Sequence, residues 1–222
     1  EGIQVELVEE TELTGHAGGP DRPTRYRAIV NCGRAVKDMT IQIRDENRGA
    51  LSDRTIGKVW CSGPSLMKEY FRDKESTDAC LVDGWLDTGD MGYMSNGYIF
   101  IVGRAKDMII INGKNHWPQD IEWAVEQLPG FNHGDIAAFS VESESGEEVP
   151  AVLVHCRVSD PEERVRLHTT IRDKVRSITG MNCVVELVPP RTLPRTSSGK
   201  LSRAKAKKLY LSGEIQPYAI AA

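Results

Sequence analysis

Gly103-Arg104-Ala105-Lys106-Asp107 separates two textures in this chain. Before it, runs rich in β-branched and aromatic residues predict short strands at 3–8, 27–31, 40–44, 56–61 and 98–102. Asn96-Gly97 predicts a two-residue hairpin between 90–94 and 98–102, because both positions tolerate positive φ. A Gly-rich stretch at 14–21 reads as a mobile loop. After Gly103, helical and strand patterns alternate, so a compact α+β domain is expected to begin there.

The second half carries clear punctuation. A buried strand is expected at 108–111, and Pro118 opens a helix whose Ile121, Val125 and Leu128 share a face before Pro129-Gly130 ends it. Strands follow at 136–141, 149–156 and 184–188. Asp160-Pro161-Glu162-Glu163 supplies an N-cap and a proline at the first helical position, so a helix is expected up to Gly180, burying Leu167, Ile171, Val175 and Ile178. A long loop at 189–199 then leads to a basic helix at 202–211.

Composition narrows the class. The 222 residues are 40% hydrophobic, ordinary for a soluble globular protein, and no apolar run nears the ~18 to 20 residues that span a bilayer. The start lacks a signal or transit pattern, and a cytoplasmic location is expected. Cys32, Cys61, Cys80, Cys156 and Cys183 show no metal-ligand spacing and read as reduced thiols; no metal site is expected. A net charge of −4 argues against general nucleic-acid binding, although Arg191, Arg195, Lys200, Arg203, Lys205, Lys207 and Lys208 occur without an intervening acid. That tail suits phosphates or an acidic partner protein, or is a solvated helix face.

Candidate chemistry begins with Pro194-Arg195-Thr196-Ser197-Ser198-Gly199-Lys200. A lysine on such a loop is a movable point charge for an anionic transition state, and the same residues also suit a solvated turn. In Leu86-Asp87-Thr88-Gly89-Asp90, the Asp90 carboxylate could accept two hydrogen bonds from a ribose diol, or satisfy nearby backbone amides. Arg104 could add a guanidinium fork to the same sugar or phosphate, or pair with Asp107. Lys106 stands where backbone rotation would swing everything downstream, or is simply solvated. Gly113, in Asn112-Gly113-Lys114-Asn115-His116-Trp117-Pro118, allows close backbone approach, while His116 has no nucleophile partner and reads as structural. His16, His133, His155 and His168 have no metal spacing.

Together these segments resemble the C-terminal part of the adenylate-forming superfamily: acyl-CoA synthetases, luciferases and peptide-synthetase adenylation domains. Residues 86–90 are similar to its ribose motif, 103–107 to its hinge motif and 194–200 to its terminal lysine motif, in the family's order. The 106–122 segment is most similar to the fatty acyl-AMP ligase branch. The resemblance implies an α+β fold: the β-rich end of the large adenylation domain over 1–102, a hinge at 103–106, and a small mobile C-terminal domain with a mixed sheet over 107–222. It also implies roles: Lys200 catalytic, Asp90 and Arg104 nucleotide-binding, Lys106 the hinge, and Gly113 in a thiol-transfer loop.

The implied activity is ATP-dependent activation of a fatty acid to acyl-AMP plus pyrophosphate, then transfer to the phosphopantetheine of an acyl carrier protein. The family's phosphate-gripping loop, adenine segment and acyl tunnel would lie upstream of residue 1, along with most of the contacts to ATP and Mg2+. The chain is therefore expected to be a fragment, inactive alone. The rivals are a fatty acyl-CoA ligase and a non-catalytic module that docks a carrier protein.

Overall fold

A computed structural model describes residues 3–9, 26–111, 114–143 and 146–220. The 14–21 loop and Gly113 lie outside the described residues. In the first part of the chain Asn96-Gly97 makes a two-residue reversal, with φ of 52° and 78°. Both residues are in the left-handed region, where a two-residue turn matches the twist of its strands. The turn joins β6 (Trp85–Ser95) to β7 (Tyr98–Arg104), antiparallel from Ser95↔Tyr98 to Asp90↔Arg104. Tyr93 and Phe100 stack across this pair with ring centroids 5.0 Å apart.

The long strand β6 organises its sheet. On one edge it pairs with β4 (Gly57–Ser62), which pairs in turn with β3 (Thr40–Arg44); on the other it pairs with β7 and with the short β5 (Leu81–Val82). Ile43, Val59 and Ile99 form the core of this sheet. β1 (Val5–Glu9) and β2 (Tyr26–Val30) make a separate antiparallel ribbon. One helix has no counterpart in the sequence reading: α1 (Lys74–Cys80), capped by Asp73, which accepts the Ser76 amide hydrogen. None of its residues is buried, so it lacks the apolar stripe that signals a helix.

The chain divides into two compact units, Glu1–Lys106 and Asp107–Ala222. In the second, β10 (Ile136–Glu142) runs antiparallel to β11 (Glu148–His155), and β11 runs parallel to β12 (Val184–Val188), a mixed sheet. A parallel pair needs a long crossover, which α3 (Pro161–Thr179) provides. Asp160 caps α3 by accepting from Glu162 N and Glu163 N, and Gly180 closes it with φ 75°.

Both faces of this sheet are covered. Ala138, Val152, Val154 and Leu187 point into a cluster with Ile121 and Val125 of α2 (Pro118–Glu126) and Ile171 and Val175 of α3. Their neighbours Ala137, Phe139, Leu153 and Val188 point the other way, towards Ala206 of α4 (Arg203–Leu211) and Ile215. Alternate residues face opposite sides, so burial of both sides produces the continuous apolar runs in the sequence. β8 (Ile109–Ile111) and β9 (Lys114–His116) form a two-stranded pair beside the first cluster. One stripe position differs from expectation. Thr179, not Ile178, continues the buried row, with its hydroxyl donating to Val175 O at 3.0 Å.

Ile171 is fully buried at the centre of the first cluster. Ile171→Ala should destabilise the second unit by about 2–5 kcal/mol, read as faster hydrogen exchange of the β11 amides in urea. Trp123→Ala, on the exposed side of α2, should change it by less than about 0.5 kcal/mol.

Candidate functional site

In the first unit the candidate residues sit at a fault in the β4–β6 ladder. Lys58 pairs with Met91 and Trp60 with Asp87, so Thr88, Gly89 and Asp90 oppose Val59 alone. The Thr88 hydroxyl donates to Val59 O at 2.8 Å and receives the Asp90 amide hydrogen at 3.2 Å, while Asp87 accepts from Gly89 N at 2.9 Å. Asp87 and Thr88 thus complete the bulge, which leaves the Asp90 carboxylate available.

Arg104, directly opposite on β7, donates from Nε to Asp90 Oδ1 at 3.1 Å. The pair is open to solvent: Arg104 is 67% and Asp90 30% exposed. An exposed pair of this kind contributes roughly 0–1 kcal/mol and is easily rearranged around a ligand. An ionised carboxylate offers about four acceptor positions, so Asp90 can hold Arg104 and still accept from a diol. The sequence reading offered Asp107 as the ion partner of Arg104. The structure pairs Arg104 with Asp90, and Asp107 with Arg203.

Lys106 is the exposed middle residue of a single 3-10 turn, Ala105–Asp107. Asp107, the next residue, accepts from Arg203 Nη1 at 3.0 Å. Arg203 also makes two parallel bonds to Glu122 of α2, both at 2.7 Å, and Glu122 Oε1 accepts the Ala138 amide at 3.0 Å. Glu122 is 7% exposed. Burial works against the Arg203 charge, but its bonds to Glu122 and Asp107 outweigh that and raise its pKa.

Lys200 lies just before α4, at the end of the stretch over 189–199 that the sequence reading took as a long loop, with a solvated turn as an alternative for 194–200. It is part of a small closed hairpin. Arg195 bridges Leu201, Thr196 N donates to Lys200 O at 2.8 Å, and Gly199 N donates to Thr196 O at 2.9 Å. Gly199, at φ 81°, provides the left-handed residue that reversal needs. The exposed Lys200 ammonium has no ion-pair partner among the described residues. Gly113 lies outside the described residues, and His116 ends β9, half-buried.

A second polar group lies beneath this hairpin. His155, at the end of β11, is 3.3 Å from Asp135 Oδ1 through Nδ1, and its Nε2 accepts the Leu193 amide at 3.2 Å. Arg157 grips Asp135 with two bonds, 2.6 and 3.0 Å, and Asn132 N adds a third at 2.9 Å. Burial alone would raise the Asp135 carboxyl, yet Arg157 and the other donors hold it well below the usual range. Burial lowers the His155 pKa, and Asp135 only partly opposes this. Sequence reasoning missed both groups. An acid on the Ile121–Val125 apolar face was a usable signal for a buried cation partner, whereas nothing in the spacing of Asp135, His155 and Leu193 marked them as neighbours.

Among the described residues, no group of three or more His, Cys, Asp or Glu is placed to hold a metal ion. Nor is any helix among them long and apolar enough to cross a membrane.

No family model matches the chain. Individual proteins do. A Caulobacter vibrioides protein named as an acyl-CoA synthetase is 42% identical over 215 residues, 96% of this chain and 37% of that protein. A solved fatty acyl-adenylate ligase, from work on the E. coli and L. pneumophila enzymes, superposes with a TM-score of 0.84 at 41% identity, over 96% of this chain and 38% of that one. The chain belongs to the adenylate-forming superfamily. It matches the C-terminal part and spans a little over a third of the length of these relatives. A long-chain-fatty-acid–AMP ligase of Mycobacterium marinum is 35% identical over 71% of this chain and 30% of that protein.

Asp135 and His155 predict the direction of the second unit's acid response. Asp135 has a folded-state pKa below the ordinary 3.8, and His155 one below the ordinary 6.5. In each case the unfolded chain binds protons first as pH falls. Stability is therefore full above about pH 6.5 and declines in two stages, below the imidazole and then below the carboxylate value. In Asp135→Asn the second stage should shrink, as read by urea midpoints between pH 3 and 8.

Proposed function

We propose that this chain supplies the mobile catalytic part of a fatty acyl-AMP ligase. In the whole protein, a fatty-acid carboxylate oxygen attacks the α-phosphorus of ATP, the α–β bridging bond breaks, and pyrophosphate leaves with the electron pair. Acyl-AMP remains for attack by a phosphopantetheine thiol on an acyl carrier protein. The observation that carries the reading is the closed 195–201 hairpin, which presents an ammonium unneutralised by any described carboxylate.

Lys200 is the catalytic residue. Negative charge spreads over the phosphoryl oxygens and the incoming carboxylate as the bond forms, and a positioned cation is worth most at that point. Asp90 accepts from the ribose hydroxyls, with Arg104 at its side orienting the carboxylate. Mg2+ would neutralise phosphate charge in such a reaction, and no step assigned to this chain uses it. Rotation at Lys106 then withdraws Lys200 and brings the segment containing Gly113 to the site for thiol transfer. Residues upstream of this chain supply the acyl site and most contacts to ATP, so the chain alone is inactive.

In the full-length ligase, Lys200→Ala should slow acyl-adenylate formation by about 10²- to 10³-fold, read by pyrophosphate release in single turnovers. It should leave thiol acylation from supplied acyl-adenylate within about threefold, and equal loss of both half-reactions contradicts the assignment. Lys106→Pro, which locks φ, should do the reverse. Supplying acyl carrier protein and CoA in parallel identifies the acceptor: acylation of CoA alone makes the enzyme an acyl-CoA ligase. Salt-sensitive carrier binding without any adenylation makes it a docking module.

A further inference from the structure

Residues 190–195 line a cleft of about 650 Å3 together with Asp135, His155 and Arg157. The Leu193 side chain of this segment packs in the second apolar cluster, and directed bonds add to that packing. Two such ties hold it down. At the base of the hairpin, the amide of the buried Leu193 donates to His155 Nε2 at 3.2 Å. On its arm, Arg195 donates to Gly134 O at 3.1 Å and to Gly199 O at 2.9 Å, next to Lys200. The Arg195 tie ends on the turn at 132–135, and the His155 tie reaches the same turn through Asp135.

The His155 tie depends on one tautomer. Nε2 accepts from Leu193 only while it carries no proton, so the ring proton must sit on Nδ1, facing Asp135 Oδ1. Arg157 and Asn132 N fix that carboxylate in turn. We propose that His155, oriented by Asp135, is a positioning residue that sets the placement of Lys200 by holding the Leu193 amide. This rests on the catalytic reading of Lys200. His155 does not touch substrate; it acts through four residues of backbone and the Thr196–Lys200 bonds that close the hairpin. Protonation at Nε2 would turn an acceptor towards an amide donor and release the segment. The charged groups that face the ring are Asp135 from the turn before β10, Arg157 beyond β11 and Arg195 from the hairpin, with Arg191 lining the same cleft.

The test compares His155→Leu with His155→Gln in the full-length ligase. Leucine fills the space without an acceptor, whereas the glutamine amide can accept from Leu193 and donate to Asp135. In His155→Leu, the Leu193 and Thr196 amides should exchange at least about tenfold faster. Acyl-adenylate formation should slow about 10- to 100-fold in kcat, with the KM for ATP within about threefold and thiol transfer from supplied acyl-adenylate unchanged. His155→Gln should recover most of the rate and remove an acid limb that the natural enzyme shows below the imidazole range. Unchanged exchange and rate in His155→Leu, or an acid limb that persists in His155→Gln, overturns the proposal. Should His155→Leu fail to fold, the His155→Gln pH profile decides by itself. The exchange result does not depend on chemistry at Lys200. Faster exchange together with a fully active Lys200→Ala enzyme therefore places the failure in the catalytic reading and not in the tie.

Discussion

The Arg203 guanidinium is the constraint on which the second unit turns. It grips Glu122 with two bonds and Asp107 with one, joining the first residue of α4, the middle of α2 and the residue that follows Lys106. A carboxylate as buried as Glu122 is costly unless it is paired and hydrogen-bonded, and Arg203 together with the Ala138 amide meets that demand. Because a planar fork bonds a carboxylate in one orientation, the pairing also fixes where α4 begins. Lys200 is three residues earlier, so its starting point is fixed by the same contact.

Around that contact the sheet supplies stiffness. β10, β11 and β12 are buried on both faces, and α2 and α3 cover one side while α4 covers the other. The polar groups with functional potential lie at the ends and connections of these elements: Asp135 before β10, His155 at the end of β11, and the hairpin after β12. The first unit follows the same plan. Its β4–β6 ladder is regular except across Thr88, Gly89 and Asp90, and the Asp90 carboxylate stands at that irregularity. In both units the available charge occurs where the backbone pattern breaks and is braced by a neighbouring polar side chain.

Much of this was legible in the residues. The Asn96-Gly97 hairpin, the α3 caps at Asp160 and Gly180, and the apolar runs of β10 to β12 each carry a local signal, and the structure has them where that signal lies. The mixed sheet and the superfamily were also readable, the latter because motif order is linear information. Tertiary pairing was not. Arg203 looked like one more cation in a basic tail, since its partners lie 81 and 96 residues away. His155 carried no spacing signal because its neighbours come from a turn and a loop on different connections. α1 was invisible for the opposite reason: it buries nothing, so no apolar period marks it.

The central claim is that a buried ion network holds the start of α4, and with it the segment bearing Lys200. A double-mutant cycle of Arg203→Met and Glu122→Gln tests it most directly, read as the opening free energy of the Ala206 amide, which bonds Ser202 O in the first turn of α4. The account predicts that each single change lowers that free energy by about 2–4 kcal/mol and that the double variant loses little more, a coupling of at least about 2 kcal/mol. Losses that simply add, or an Ala206 amide as protected in Arg203→Met as in the unaltered chain, would contradict it.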